Sequence, residues 1–284
     1  MAPANMPPMA GVPAAAANTP APGGVEPAKL PAVNGQCPML RNGAMSILLD
    51  GKRMDWTLYM GTPKPGGPVI IFWHGTGGVG SLEAPNFLGE AIQEAMASGG
   101  LVAAAETSSG VGNTTDYGVW TTGDAAYVDQ IVACAIEQLK VDTKRIYTAG
   151  YSAGALYAVY LWYARSGYIA SVASFSGGTN IINVTAMQDA AHPPAVVAAH
   201  GKQGSDVLIL DFADTSTAWL KDVAAKGAFG VECDDGSSHI DVAKRAAVSS
   251  SVWKFFKDHP YGIKPHPYMT LPAGWPAYCK IATP

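Results

Sequence analysis

Short apolar runs and longer segments of helical period take turns along this chain. Ala44 to Leu49 (AMSILL) and Met54 to Met60 (MDWTLYM) are β-prone runs on either side of the turn Asp50-Gly51-Lys52, which predicts a hairpin. Pro68 to His74 (PVIIFWH) is a continuous β-branched and aromatic run, the pattern of a strand buried on both faces, and it stops at Gly75-Thr76-Gly77-Gly78. Further strands are predicted at Leu101 to Glu106, Arg145 to Thr148, Ala170 to Phe175, Pro194 to His200 and Ala228 to Cys233. Between them, helices are predicted over Phe87 to Ser98, Asp124 to Leu139, Ala153 to Arg165, Thr215 to Lys226 and Ile240 to Lys257, with a long loop from Ser108 to Thr122. An opening antiparallel pair followed by strand and helix in alternation predicts an α/β fold, its sheet mostly parallel and its helices on both faces.

Before Cys37 this patterning is lost. Eight of the 21 prolines fall in the first 31 residues among Ala, Gly and Asn, a composition that buries no core. Residues 1–36 are therefore expected to be a disordered leader, and residues 37–284 one domain with an irregular tail from about residue 259. The leader lacks the basic and apolar regions of a signal peptide, but such a tail commonly follows a cleaved one. Every candidate strand is shorter than about ten residues, far below the roughly twenty of a membrane-spanning helix, so a soluble protein without membrane contact is expected. A formal net charge of -4 offers no basic face for nucleic acid. The four cysteines, Cys37, Cys134, Cys233 and Cys279, form neither a C-x-x-C pair nor a Cys/His cluster at metal spacing, so no metal is expected. A bridge from Cys37 to Cys279 would pin the two ends, leaving Cys134 and Cys233 as buried thiols. Disulfides point to a secreted or periplasmic protein; a monomer is the default.

Candidate chemistry lies at the ends of strands, where ligands bind in sheets of this kind. In Tyr147 to Ala155 (YTAGYSAGA) one serine stands between two glycines, after a strand and before a helix. A turn that tight lifts the serine hydroxyl clear of the sheet with a helix N-terminus behind it, which makes Ser152 a candidate nucleophile. Its partners are expected in the order acid, then histidine. Asp206 lies in the loop HGKQGSD after a late strand. Asp211, at the end of an apolar run, and Asp214, read as a helix N-cap, are the alternatives. Of six histidines, His239 alone directly follows a late strand and precedes the closing helix; His74 and His200 sit in His-Gly steps where a ring braces a loop. The oxyanion formed on attack needs two donors: the N–H of Ala153, and one from the glycine-rich loop, Thr76 with Gly75 in reserve. Trp120, Tyr151 and Tyr117 are candidates for an aromatic substrate wall.

Over roughly residues 40–258 the chain resembles the polyhydroxybutyrate depolymerase and feruloyl esterase group of α/β-hydrolase esterases. The resemblance rests on the HGTGG loop, the helix with Asp124 and Asp129, YTAGYSAGA, SFSGG (Ser174 to Gly178), HGKQGSD and CDDGSSH. The chain departs from the group's pattern at Thr76, where a cysteine is usual, in a longer acid loop, and at Ser238, where a glycine is usual. The resemblance implies an α/β-hydrolase fold and a cofactor-free serine esterase, with Ser152 as nucleophile, Asp206 as acid and His239 as base. The implied substrate is a hydroxyalkanoate or aromatic polyester, or a hydroxycinnamoyl sugar ester. A peptidase of the same fold would carry a propeller or a large lid, for which no segment is long enough. A non-catalytic binding protein would show a broken triad.

Overall fold

The computed structural model describes residues 24–112, 119–179 and 184–282. Among them the strands are β1 (Gly43–Leu49), β2 (Lys52–Met60), β3 (Val69–Trp73), β4 (Leu101–Ala105), β5 (Ile146–Tyr151), β6 (Ser171–Phe175), β7 (Ala195–His200), β8 (Gly230–Asp234) and β9 (Cys279–Ile281). The helices are α1 (Gly80–Leu88), α2 (Glu90–Ala97), α3 (Ala125–Leu139), α4 (Ala153–Ala164), α5 (Phe212–Ala225), α6 (Val242–Ala246) and α7 (Ser249–Asp258).

All the strands join one sheet in the order β1-β2-β4-β3-β5-β6-β7-β8-β9. β1 and β2 pair antiparallel, β2 pairs antiparallel with β4, and from β4 to β8 every pairing is parallel. Strand residues alternate between two cores, as a side-chain period of two requires. Val69, Ile71 and Trp73 of β3 pack with α3, α4 and α5, whereas Ile70 and Phe72 pack with α1, α2 and α7. The β3, β4, β5, β6 and β7 strands are buried along their whole length, which explains their unbroken apolar runs.

Local departures from the expected elements have local causes. The helix expected over Phe87 to Ser98 is two helices meeting at Gly89, whose φ of 46° breaks the turn. The first begins earlier, at Gly80, because the Glu106 carboxylate accepts the N–H groups of Gly80 (2.9 Å) and Ser81 (2.9 Å). That cap comes from the end of another strand. α5 likewise starts before Thr215: Asp211, not Asp214, is its N-cap, accepting the Ala213 N–H at 3.0 Å. The helix expected over Ile240 to Lys257 is split into α6 and α7.

Two expectations about the chain ends are corrected. The part of the leader before Gly24 lies outside the described residues, but from Gly24 the chain is pinned. Val25 donates to the Tyr261 carbonyl (3.1 Å), Lys29 to that of Gly167 (3.1 Å), and Glu26 pairs with Lys144 (2.8 Å). The disulfides are Cys37–Cys134 and Cys233–Cys279, so the end-to-end bridge and the buried thiols are both replaced. Gln130, Cys134 and Gln138 form an i, i+4, i+8 stripe on α3. The two glutamine amides hold the backbone of residues 34–40 along that stripe, which sets Cys37 opposite Cys134. At the other end, the unforeseen strand β9 pairs antiparallel with β8, and Cys233 faces Cys279 directly. Two disulfides suit an oxidising compartment, and among the described residues no helix is long and apolar enough to cross a membrane.

Chain-entropy arguments predict a large stability loss on opening the Cys37–Cys134 bridge, which spans 97 residues. Replacing both cysteines by serine is expected to lower the unfolding free energy by about 4 kcal/mol in urea titrations. A midpoint unchanged by the double replacement would show that the bridge adds nothing beyond the glutamine contacts.

Candidate active site

Ser152 joins β5 to α4 with φ 54° and ψ −120°, a conformation rarely held by any residue but glycine. It is held there from three sides. Its N–H donates to the Phe175 carbonyl on β6 (2.9 Å), and its own carbonyl accepts the N–H groups of Ala155 (2.9 Å) and Leu156 (3.0 Å) as α4 begins. Glycine at 150 is a steric need, because a Cβ there would lie 2.2 Å from the Gly154 carbonyl oxygen.

The side chain of Ser152 meets the two residues expected from later in the chain. Asp206 is fully buried, and its Oδ1 lies 2.7 Å from His239 Nδ1; His239 Nε2 lies 3.0 Å from Ser152 Oγ. Burial alone would raise the Asp206 carboxyl. Hydrogen bonds from His239 and the Gly201 N–H, the charge of Arg245 and the Ser176 hydroxyl together hold it below its usual value. An ionised carboxylate only accepts, so Nδ1 carries the imidazole proton. Nε2 is then the acceptor, and the Ser152 hydroxyl donates to it. Asp211 and Asp214 do not contact the histidine: Asp211 caps α5 and accepts the Gly204 N–H (2.6 Å), and Asp214 accepts from Gln203 Nε2 (2.7 Å).

Several residues that fix this geometry carried no separate sequence signal. The outer oxygen of Asp206, Oδ2, accepts from the Gly201 N–H (2.8 Å) and Ser176 Oγ (3.0 Å), and lies 3.3 Å from Arg245 Nη2. The His239 ring stacks with Phe212, at 4.6 Å and 17°, and with Tyr151, at 5.4 Å and 15°. Ser176 belongs to the SFSGG motif, which the resemblance singled out without a role. Arg245 and Phe212 stand on helices whose composition does not set them apart from other helical positions.

The oxyanion loop lies against the serine, a Cβ placed on Gly75 reaching within 3.2 Å of the Ser152 Cβ. The Gly75 N–H is already used, donating to Glu83 Oε2 at 3.0 Å, and burial raises the Glu83 carboxyl. Among the described residues the exposed Thr76 has no acceptor for its N–H, and Ala153, the first residue of α4, has none within its helix. The loop carrying one of these N–H groups and the helix start carrying the other both adjoin Ser152.

Two of the three residues expected to form an aromatic wall are turned inward. Trp120 is fully buried; its Nε1 donates to the His74 carbonyl (3.0 Å) and its ring packs edge-on against Trp73 and His74, bracing the loop from beneath. Asp124 fixes the segment before it, accepting from Ser108 Oγ (2.8 Å) and the Thr121 N–H (2.8 Å). Tyr151 is also buried, and burial pushes its hydroxyl up to about 12, so it stays protonated and donates to the His239 carbonyl at 2.7 Å. Tyr117 lies outside the described residues.

No protein-family model matches the sequence, and no curated protein does. Solved structures do match in three dimensions. Native pOPH superposes with a TM-score of 0.67 at 16% identity, over 87% of this chain and 97% of that one. An esterase from the fungus Rhizomucor miehei gives 0.56 at 12%, over 79% and 85%. FphF, a fluorophosphonate-binding serine hydrolase of Staphylococcus aureus, gives 0.54 at 13%, over 75% and 97%. With the parallel sheet flanked on both faces and the antiparallel pair at its start, these likenesses identify the architecture: the chain has the α/β-hydrolase fold.

Proposed function

We propose that the protein is an exported serine carboxylic-ester hydrolase that works through an acyl-enzyme. The observation that carries this reading is the hydrogen-bonded series from Ser152 Oγ to His239 to the ionised Asp206, with the serine held on a strained turn at positive φ. His239 Nε2 takes the hydroxyl proton as Oγ attacks the ester carbonyl, and the N–H groups of Thr76 and Ala153 hold the oxyanion. Collapse breaks the bond to the alcohol oxygen, which leaves with the proton from His239. Water then adds to the acyl-enzyme by the same route and frees the acid and the serine. Asp206 keeps the imidazole in the right tautomer and offsets the charge of the imidazolium. Esterase and serine-hydrolase neighbours of the same fold, among them a pOPH variant in complex with pNPB, support the reaction class.

For the substrate we favour an aliphatic polyester over a hydroxycinnamoyl sugar ester. Two of the aromatic rings that would grip a cinnamoyl group, Trp120 and Tyr151, are buried behind the site. Aliphatic side chains a few residues from each site group are instead exposed: Val79 and Leu82 after the oxyanion loop, Leu208 and Ile209 after Asp206, Ile240 after His239.

A fluorophosphonate probe tests the reaction class. One label per chain, mapped by mass spectrometry to Ser152 and blocked by an excess of p-nitrophenyl butyrate, is the expected result. Labelling elsewhere, or none from an enzyme that still turns over the ester, would remove the serine mechanism. Acid release from a hydroxyalkanoate polymer, compared with that from a feruloyl sugar ester, tests the substrate preference.

A further inference from the structure

Behind the acid lies a buried group of charges that the reaction scheme above does not use. Arg245 of α6 is 1% exposed, and carboxylates face its guanidinium from two loops. Nη2 lies 3.3 Å from Asp206 Oδ2, and Nη1 donates to Asp235 Oδ2 at 2.9 Å. Nη2 also donates to the Ser238 carbonyl at 3.1 Å, immediately before His239. Asp235 is fixed in turn, its Oδ1 accepting the Ser237 N–H (2.9 Å) and hydroxyl (2.5 Å).

The balance of charge gives this arrangement a consequence. With His239 neutral, Asp206, Asp235 and Arg245 sum to one negative charge; once the serine proton has moved to His239, the group is neutral. Without Asp235 the same step would run from neutral to one positive charge, and without Arg245 from two negative charges to one. In a poorly solvated site the net charge around an imidazole governs how readily it takes a proton.

We propose that Arg245 and Asp235 are paired positioning residues for the base: Arg245 clamps Asp206 and the backbone before His239, and Asp235 offsets the charge by which that clamp would weaken the imidazole as a base. The proposal rests on the Ser152–His239–Asp206 reading above. Other titratable groups approach from neighbouring elements: Tyr151 from β5, Glu83 from α1, Tyr278 from the C-terminal segment, and the His200–Glu232 pair (3.2 Å) from β7 and β8. The two tyrosines are pushed up by burial and stay neutral through the assay range. Glu83 and His200 are unchanged in the variants and act equally on all of them.

The test is the acid limb of kcat/KM for p-nitrophenyl butyrate, which reports the base in the free enzyme. Asp235→Asn is expected to move that limb down by about one pH unit, and Arg245→Met to move it up by a similar amount. The double variant, which restores the net charge, should return close to the wild-type position. A role confined to holding the loop would lower activity without moving the limb in opposite directions. If Asp235→Asn leaves the limb in place or moves it upward, the proposal is wrong. Reading that outcome needs only Asp235→Asn to fold, as checked by thermal melting, so it stands even where Arg245→Met does not. Ser152→Ala assayed alongside separates the two levels: turnover within a hundredfold of wild type there undoes the serine reading itself, whereas a Ser152→Ala enzyme slowed far beyond that, with an unmoved limb in Asp235→Asn, undoes only the pairing.

Discussion

Ser152→Ala and His239→Ala are each expected to lower kcat for p-nitrophenyl butyrate by on the order of 10^5-fold, and the double variant by little more. On the proposed mechanism the two side chains act as one unit across the 3.0 Å contact: without the imidazole the serine proton has nowhere to go, and without the hydroxyl the imidazole has nothing to activate. Asp206→Asn should cost less, on the order of 10^4-fold, by presenting an amide where the Nδ1 proton needs an acceptor and so favouring the wrong tautomer. It also leaves Arg245 facing one carboxylate in place of two, so its melting temperature should fall as well. Residual turnover is expected from the Thr76 and Ala153 donors, which none of these changes touches. Steady-state rates with melting curves for each variant decide the matter. A Ser152→Ala enzyme within a hundredfold of wild type would mean that another group attacks the ester.

What the sequence makes legible here is whatever one local segment has to accomplish by itself. The elbow is such a case: a strand, a serine at positive φ and a helix fit together in so few ways that the surrounding glycines announce it. The same holds for the buried strands, whose two-sided burial leaves continuous apolar runs. The order of the site residues could also be read, since each follows its own strand. What could not be read depends on contacts between distant segments. Cys37 pairs with Cys134 because two glutamines on α3 lay the N-terminal segment along that helix. Cys233 pairs with Cys279 because a strand of three residues, too short to show a period, closes the far edge of the sheet. Tyr151 ends a strand and Trp120 lies on a loop beyond one, as a substrate wall would, but their polar atoms bond to the backbones of His74 and His239, so they face inward. Arg245 is the extreme case, a basic residue on a helix of five residues that is drawn inside by carboxylates from two loops.

Gly154→Ala is expected to cost about 3 kcal/mol of stability and to remove most of the activity, although alanine is the better helix former. The reason is the closeness of α4 to the end of β3. A Cβ on Gly154 would lie 2.1 Å from the Trp73 carbonyl oxygen, 2.4 Å from its carbon and 2.6 Å from the His74 oxygen. All three are backbone atoms of a central strand and the oxyanion loop, so no rotamer change relieves the clash. Either the start of α4 lifts off the sheet or the loop is pushed aside. Both movements separate the Ala153 N–H from the Thr76 N–H, and displacements of about 1 Å at a reacting centre cost on the order of a hundredfold in rate. Gly75→Ala supplies the comparison, because its new methyl would meet side-chain atoms of Tyr151 (3.1 Å) and Ser152 (3.2 Å), which yield more easily than backbone. Because those contacts need a shift of only a few tenths of an ångström, against the 2.1–2.6 Å approaches at Gly154, its stability loss should be the smaller of the two, while its rate loss stays large, since it presses directly on the nucleophile. Urea midpoints and kcat for the two variants separate these effects. A Gly154→Ala protein with wild-type midpoint and rate would show that α4 does not approach β3 this closely, and with it would go the steric reason for a glycine at this position.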